Sequence, residues 1–154
     1  MVRTFLQVLA IAFAGAALGF LHNAVSSHHI AFIAPPKAIL QLTDFIPLDE
    51  AWQLWVASGG FFLDARAPAD YAAGHIAGAY SLPAANFDAK YPQVANILTL
   101  ESRIVVYCDG VECDLSHDLT ARLRQLGYSR VRILQNGWTT WTTAGFSTAT
   151  GPQP

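Results

Sequence analysis

The strongest indication of the fold of this chain is the stretch at residues 103–127, RIVVYCDGVECDLSHDLTARLRQLG. It opens with the β-branched run Ile104–Tyr107, which is typical of a short buried strand. Leucines then recur at the spacing of one helix face, at positions 115, 119, 123 and 126. Cys108 lies between the strand and the helix. Because ligands of open parallel α/β sheets bind at the carboxyl ends of strands, Cys108 is the leading candidate for chemistry.

The composition of the chain restricts its class. With 154 residues, it has room for one domain of ordinary size and a short additional segment. Charged residues make up 13%, well below the usual share of about a quarter. The net charge is -2, and the sequence contains no basic stripe. We therefore expect no nucleic-acid partner.

The excess of apolar residues is concentrated at the front of the chain. Residues 5–21 are apolar except for Gln7, and as a helix they span roughly 25 Å, close to a hydrocarbon core of about 30 Å. We predict a single-pass membrane anchor over residues 1–25, with a cleaved signal segment and a buried helix as alternatives. Arg3 before this run predicts a cytoplasmic N-terminus and an extracytoplasmic domain, which is periplasmic in a bacterium.

The remainder of the chain is predicted to comprise a connector over residues 26–44, a folded domain over residues 45–147, and a disordered tail over residues 148–154. Helices are predicted at 48–58, 68–73, before Gly127 and from Gly137. Strands are predicted at 61–63, 80–82, 104–107 and 131–134. Three histidines at positions 22, 28 and 29 have no Cys or carboxylate near them in the sequence, so no metal site is predicted.

Several motifs of the folded segment resemble the rhodanese-like domain. The first half contains FLDAR at 62–66, DY at 70–71, GHIAGA at 74–79 and LP at 82–83. The second half contains VVYC at 105–108, LGY at 126–128, NGW at 136–138 and AGF at 144–146. The resemblance implies an α/β domain with a central parallel β-sheet flanked by helices, here preceded by one N-terminal transmembrane helix. It further implies sulfur transfer through a persulfide on Cys108, from a small sulfur donor to a thiol or protein acceptor, without a metal or organic cofactor.

The chemistry of Cys108 also follows from its position. Only the thiolate is a good nucleophile, and a thiol with an ordinary pKa of about 8.5 is mostly protonated at neutral pH. Backbone amides of a loop at a strand end, together with a helix N-terminus, favour a thiolate or persulfide. Gly110 allows the loop to curl, and Asp114 or Ser116 can cap the helix. We therefore expect the sulfur to be open to solvent, the alternative being a buried, inert cysteine.

The active-site loop departs from the commonest loop of the family, which is shorter and ends in arginine followed by serine. The predicted loop residues after the cysteine are Asp109, Gly110, Val111, Glu112, Cys113, Asp114, Leu115 and Ser116. This segment has three carboxylates and no arginine. If these carboxylates point inward, they oppose thiolate formation and repel anionic donors, so specificity for thiosulfate is not implied.

A second cysteine, Cys113, leaves three roles open. It can be a resolving thiol that attacks a persulfide on Cys108, the partner of Cys108 in a protective disulfide, or an inert small residue. The preferred function is accordingly a membrane-anchored sulfurtransferase. The alternatives are a thiol-disulfide redox protein that uses both cysteines, and a non-catalytic binding module with the same fold.

Four further residues are candidates for supporting the site. Trp138 is expected to line the pocket. Asp64 and Arg66 either support the site or form only a local ion pair. His75, which lies between glycines, either acts in the site or stabilises a turn through a hydrogen bond.

Overall fold

The structure is a computed structural model that describes residues 2–25, 44–110 and 114–152. The chain divides into two compact units, residues 1–37 and 38–154. The first unit contains helix α1, Val2–Val25. Residues 3–22 of this helix are long and apolar enough to cross a membrane, a property that a signal sequence shares. Apart from residue 44, the predicted connector lies outside the described residues.

The second unit alternates helices and strands. The helices are α2 (Leu48–Val56), α3 (Pro68–Ala73), α4 (Phe87–Ala95), α5 (Asp114–Gln125) and α6 (Gly137–Thr143). The strands are β1 (Phe61–Asp64), β2 (His75–Ile76), β3 (Tyr80–Ser81), β4 (Ile104–Tyr107), β5 (Val131–Leu134) and β6 (Thr148–Ala149). The predicted α/β fold, with a central parallel β-sheet flanked by helices, is confirmed.

The central sheet has the strand order β3-β1-β4-β5, and all its strands are parallel. In the register of the sheet, Tyr107 at the end of β4 pairs with Asp64 of β1 and with Leu134 of β5. Three adjacent strands therefore end at the same level. The loops that follow them open at one edge of the sheet, where parallel α/β proteins bind ligands.

Two apolar layers cover the two faces of this sheet. The α5 layer contains Leu63, Ile104, Val106, Cys108 and residues of α4 and α5. The α6 layer contains Phe62, Val105, Tyr107, Trp141 and residues of α2 and α6. Successive strand residues point to opposite faces, so all four residues of β4 are buried. This explains the uninterrupted apolar run in the sequence.

One sequence prediction is wrong, and one helix was not predicted. Disorder of residues 148–154 is wrong for residues 148–149, because β6 pairs antiparallel with β2. The pairing is made by backbone groups, so it has no hydrophobic pattern that reveals it in the sequence. Residues 153–154 lie outside the described residues. Helix α4 was not predicted, since it contains Pro92 and buries only Phe87 and Val94.

Candidate active site

Cys108 directly follows β4 at the carboxyl edge of the sheet. Its side chain lies in the α5 layer and is 1% exposed. The expectation of a sulfur open to solvent is therefore wrong for this structure. The alternation of β4 continues into the loop and turns Cys108 to the same side as Val106. Cys108 is joined in a disulfide bond. The sequence-based hypothesis names Cys113 as its partner. Cys113, Val111 and Glu112 lie outside the described residues.

Ser116 brings a hydroxyl group to the sulfur. It lies in the first turn of α5 and is 2% exposed, and its Oγ is 3.4 Å from Sγ of Cys108. The sequence suggested only a capping role for this residue. A hydroxyl at this position can donate a hydrogen bond to a thiolate or to a persulfide.

Asp64 and Arg66 form a buried ion pair after β1. Nε of Arg66 lies 3.0 Å from Oδ1 of Asp64, and Nη2 lies 2.6 Å from Oδ2. Nη2 also donates to the carbonyl oxygen of Gly74 at 2.6 Å. Burial acts to lower the pKa of Arg66, but the hydrogen bonds and the charge of Asp64 outweigh it and raise this pKa. The sequence left open whether Asp64 and Arg66 support the site or form only a local ion pair. They form the ion pair, and Arg66 also lines a cavity.

Trp138 forms part of the wall of that cavity. The guanidinium carbon of Arg66 lies 4.6 Å from the centroid of the Trp138 ring, a cation–π distance. A side chain at Gly74 would place its Cβ 2.9 Å from Cζ2 of Trp138. The absence of a side chain at position 74 is therefore what allows the indole ring to lie against this loop.

The cavity has a volume of about 480 Å³ and is bounded by the loops after β1 and β4 and by α3, α5 and α6. Among the described residues, its lining consists of Arg66, Asp70, Ala73, Gly74, Asp109, Leu115 and Trp138. The positive charge of Arg66 is matched by Asp64, so the carboxylates of Asp70 and Asp109 dominate the lining. A neutral or cationic ligand is favoured over a dianion on electrostatic grounds.

The loop after Cys108 curls at Gly110, which has a φ of 88°. Its N–H, one of the amides expected to surround the sulfur, instead donates to Oδ1 of Asn136 at 2.9 Å and to Oδ1 of Asp109 at 3.1 Å. Sequence reasoning missed Asn136 as a site residue. It had only one weak indication, because Asn tolerates the left-handed conformation found here, with a φ of 49°.

His75 supports the fold rather than the cavity wall. It is 2% exposed, its ring stacks on Tyr71 with centroids 3.8 Å apart, and its Nδ1 lies 2.8 Å from the carbonyl oxygen of Tyr71. Burial raises the pKa of Tyr71 to about 12, and the charge of Asp64 adds to this effect.

Asp114 is exposed at the start of α5. Within residues 2–25, 44–110 and 114–152, no group of three or more His, Cys, Asp or Glu residues is placed to hold a metal ion.

Comparison with family models identifies one family for the folded unit. Residues 48–144 match the family described as Rhodanese-like domain. The chain is also 30% identical over 127 residues to the HTH-type transcriptional regulator Rv0324 of Mycobacterium tuberculosis (strain ATCC 25618 / H37Rv). This match covers 81% of the chain and 54% of the relative, so the chain spans about half the length of that curated protein.

Solved structures give the same result. The thiosulfate sulfurtransferase from Pseudomonas aeruginosa matches with a TM-score of 0.57 and 27% identity, over 67% of this chain and 19% of that one. The solution structure of the rhodanese-like domain of the Alr3790 protein from Anabaena sp matches with a TM-score of 0.54 and 26% identity. That match covers 65% of this chain and 72% of the Anabaena chain.

Proposed function

Because the chain belongs to the Rhodanese-like domain family, we propose that it is a sulfurtransferase that carries sulfane sulfur on Cys108. Relatives such as a thiosulfate sulfurtransferase support a sulfur-transfer role in general. The observation that carries the proposal is the position of Cys108 at the carboxyl edge of the sheet, with the Ser116 hydroxyl 3.4 Å from its sulfur.

The reaction begins from the thiol form of Cys108. Because Cys108 is joined in a disulfide, a thiol or dithiol reductant first exchanges with that bond and is itself oxidised to a disulfide. This reduction also has to expose the sulfur, which is 1% accessible in the disulfide form. A thiolate in an accessible loop is then available as the nucleophile.

Sulfur transfer then proceeds in two displacements. The Cys108 thiolate attacks the outer sulfur of a donor persulfide, RS–SH. A new S–S bond forms at Cys108, the donor S–S bond breaks, and RS⁻ leaves. An acceptor thiolate next attacks the outer sulfur of the Cys108 persulfide, takes up that sulfur and regenerates the Cys108 thiolate. No external oxidant is consumed, because the sulfur carries its oxidation state with it.

Ser116 is the residue assigned to stabilise charge on sulfur. Its hydroxyl donates to the Cys108 thiolate before the first displacement and to the persulfide after it. Hydrogen bonds to charged groups are worth about 1.5–3 kcal/mol. Since Ser116 is buried, water competes weakly for this bond.

The cavity favours a donor with little negative charge. Asp70 and Asp109 line it, and the Arg66 guanidinium is already paired with Asp64. A dianionic donor such as thiosulfate would meet repulsion that a thiol persulfide with a single ionisable sulfur largely avoids. We therefore assign the donor to the class of small thiol persulfides.

Mass spectrometry tests the proposal. The full chain is purified in detergent, reduced, freed of reductant and incubated with either a small thiol persulfide or thiosulfate. We expect a gain of about 32 Da, the mass of one sulfur, on Cys108 and faster uptake from the persulfide. Cys108→Ser is the control and should gain no sulfur. Absence of the gain with both donors would overturn the proposal.

A thiol-disulfide redox function is the second candidate, and the disulfide on Cys108 favours it. Replacing Cys113 by serine separates the two functions. A sulfurtransferase keeps its sulfur uptake in Cys113→Ser, whereas a redox protein loses its oxidation cycle. A non-catalytic binding module predicts instead that Cys108→Ser leaves cellular function intact, which a complementation assay measures.

We also propose that α1 anchors the domain on the extracytoplasmic side of a membrane. The apolar helix over residues 3–22 and the single positive residue Arg3 before it support this orientation. A reporter fused after Pro154 should be active only outside the cytoplasm, and the chain should resist extraction by alkaline carbonate. Cytoplasmic activity of the reporter would reverse the orientation, and release by carbonate would exclude the anchor.

A further inference from the structure

The start of α6 is hydrogen-bonded to the backbone of the Cys108 loop at two points. The N–H of Trp138 donates to the carbonyl oxygen of Cys108 at 3.1 Å. The N–H of Gly110 donates to Oδ1 of Asn136 at 2.9 Å. One contact comes from a helix backbone and the other from a side chain, so residues 108–110, at the start of the loop, are held by the same short segment.

A third contact joins the side chain of Asp109, in the Cys108 loop, to that of Thr139 in α6. Oγ1 of Thr139 donates to Oδ1 of Asp109 at 2.6 Å, and the N–H of Gly110 donates to the same oxygen at 3.1 Å. Two donors on one carboxylate oxygen fix the direction of the Asp109 side chain.

The position of α6 relative to the sheet is itself fixed. A Cβ at Gly137 would lie 2.6 Å from Cβ of Tyr107, so the helix start packs directly against the end of β4. Asn136 adopts a φ of 49°, and no capping bond from its side chain to the helix accounts for this conformation. Its amide oxygen points to the Cys108 loop instead. A glycine would adopt the same backbone more easily, but it would lose that oxygen.

We propose that these contacts form a clamp, and that Asn136 and Thr139 are positioning residues for the sulfur chemistry of Cys108. The clamp holds the backbone that directly follows the Cys108 side chain and turns the Asp109 carboxylate toward α6. This inference rests on the proposed sulfur-transfer function for its consequence. It concerns two residues whose side chains, in the described part of the chain, bond Gly110 and Asp109 and not the sulfur. A nucleophile held in one geometry reacts faster than one in a mobile loop.

Two rates measured on the full chain in detergent test the clamp. Cys113→Ser serves as the parent, which leaves Cys108 as its only cysteine. The first rate is sulfur uptake from a small thiol persulfide, and the second is alkylation of Cys108 by iodoacetamide as a function of pH. Loss of one hydrogen bond should slow sulfur uptake by about threefold to tenfold. It should also move the pH of half-maximal alkylation upward.

The test variants each remove one contact. Asn136→Gly keeps the backbone conformation and removes the acceptor oxygen, and Thr139→Val removes the hydroxyl while keeping the shape. Thr139→Ser restores the hydroxyl and should restore both rates. Thr142→Val is the matched control, since the Thr142 hydroxyl bonds only carbonyl oxygens within α6 and the residue is exposed.

The outcomes separate the two proposals. If Asn136→Gly and Thr139→Val keep the parental rates and pH profile, the clamp is overturned. If the parent takes up no sulfur, the sulfurtransferase proposal fails, and the alkylation profiles still decide the clamp. Tryptophan fluorescence shows whether each variant is folded. Should Thr139→Val fail to fold, Asn136→Gly decides, because glycine accepts the φ of position 136.

Discussion

The two layers on either side of the sheet contribute different chemistry to one site. The α5 layer is mainly aliphatic, and it holds Cys108 with the hydroxyl of Ser116 beside its sulfur. The other face of the sheet carries aromatic rings and the buried Asp64–Arg66 pair, together with Tyr107. Tyr107 and Cys108 are adjacent in the chain but point to opposite faces.

The site is therefore divided between the two layers. The sulfur lies in an apolar environment, which by itself disfavours a thiolate. The Ser116 hydroxyl is placed to stabilise negative charge on the sulfur by a hydrogen bond. The Arg66 guanidinium and the Trp138 ring, which line the cavity, lie on the opposite side of the sheet, with Tyr107. Reactivity and ligand choice should therefore respond to substitutions in different layers.

The largest expected effect is in the charged pair. Asp64→Asn leaves Arg66 buried without a counter-charge, and loss of one partner of a buried pair costs about 3–5 kcal/mol of unfolding free energy. Urea unfolding of the full chain in detergent, followed by tryptophan fluorescence, measures it. Asp70→Asn, at an exposed carboxylate of the cavity, is the control and should change stability by less than about 0.5 kcal/mol. Equal effects of the two substitutions would contradict the division between layers.

The next effect concerns the aliphatic layer. Leu63 is fully buried in the same cluster as Cys108, and Leu63→Ala should cost about 2–5 kcal/mol through the cavity that it leaves. Because this cavity adjoins the layer of the sulfur, alkylation of reduced Cys108 should also accelerate. Leu100→Ala, at a residue 51% exposed, is the control for both measurements. An unchanged alkylation rate of Cys108 in Leu63→Ala would contradict the expected effect of packing in this layer on the reactivity of the thiol.

A stabilising substitution is expected in the same layer. Thr120 of α5 is fully buried, and its hydroxyl has no hydrogen-bond partner within the described part of the chain. Thr120→Val keeps the shape and removes the unsatisfied oxygen, so the unfolding free energy should rise by about 1 kcal/mol. Thr140→Val, which removes a hydroxyl bonded to the Asn136 carbonyl oxygen, should not stabilise. A loss of stability in Thr120→Val would show that this hydroxyl has a partner in solution.

The smallest effect lies at the surface, outside both layers. The hydrogen bond from Arg132 lowers the pKa of Glu50 against the opposing effect of desolvation. A lowered pKa in the folded state contributes stability above the unfolded pKa, and this contribution is lost as pH falls through the folded pKa. Glu50→Gln should therefore cost less than about 1 kcal/mol at pH 7. The difference from wild type should vanish in acid, and a difference that persists there would contradict the ion-pair explanation.

Local patterns predicted most of the elements. Helix α3 and strands β4 and β5 have the predicted bounds, because Pro68, Gly74 and the β-branched runs are strong local signals. The helix predicted over residues 48–58 ends at Val56, where Ser58 takes a φ of 48°. Helix α4 and strands β2 and β6 escaped prediction, because the helix contains a proline and the two short strands pair with each other through backbone groups.

From local residue patterns, the sequence alone predicted most of the helices and strands of the folded unit, the buried central strand and the position of Cys108 at its end. The tertiary structure decided which groups surround that sulfur. Register in the sheet brings the loops after β1, β4 and β5 to one edge, so Arg66 reaches the cavity and Asn136 and Thr139 reach the Cys108 loop. Those hydrogen bonds join residues 26 and 30 positions apart, and no local pattern encodes contacts at such separations.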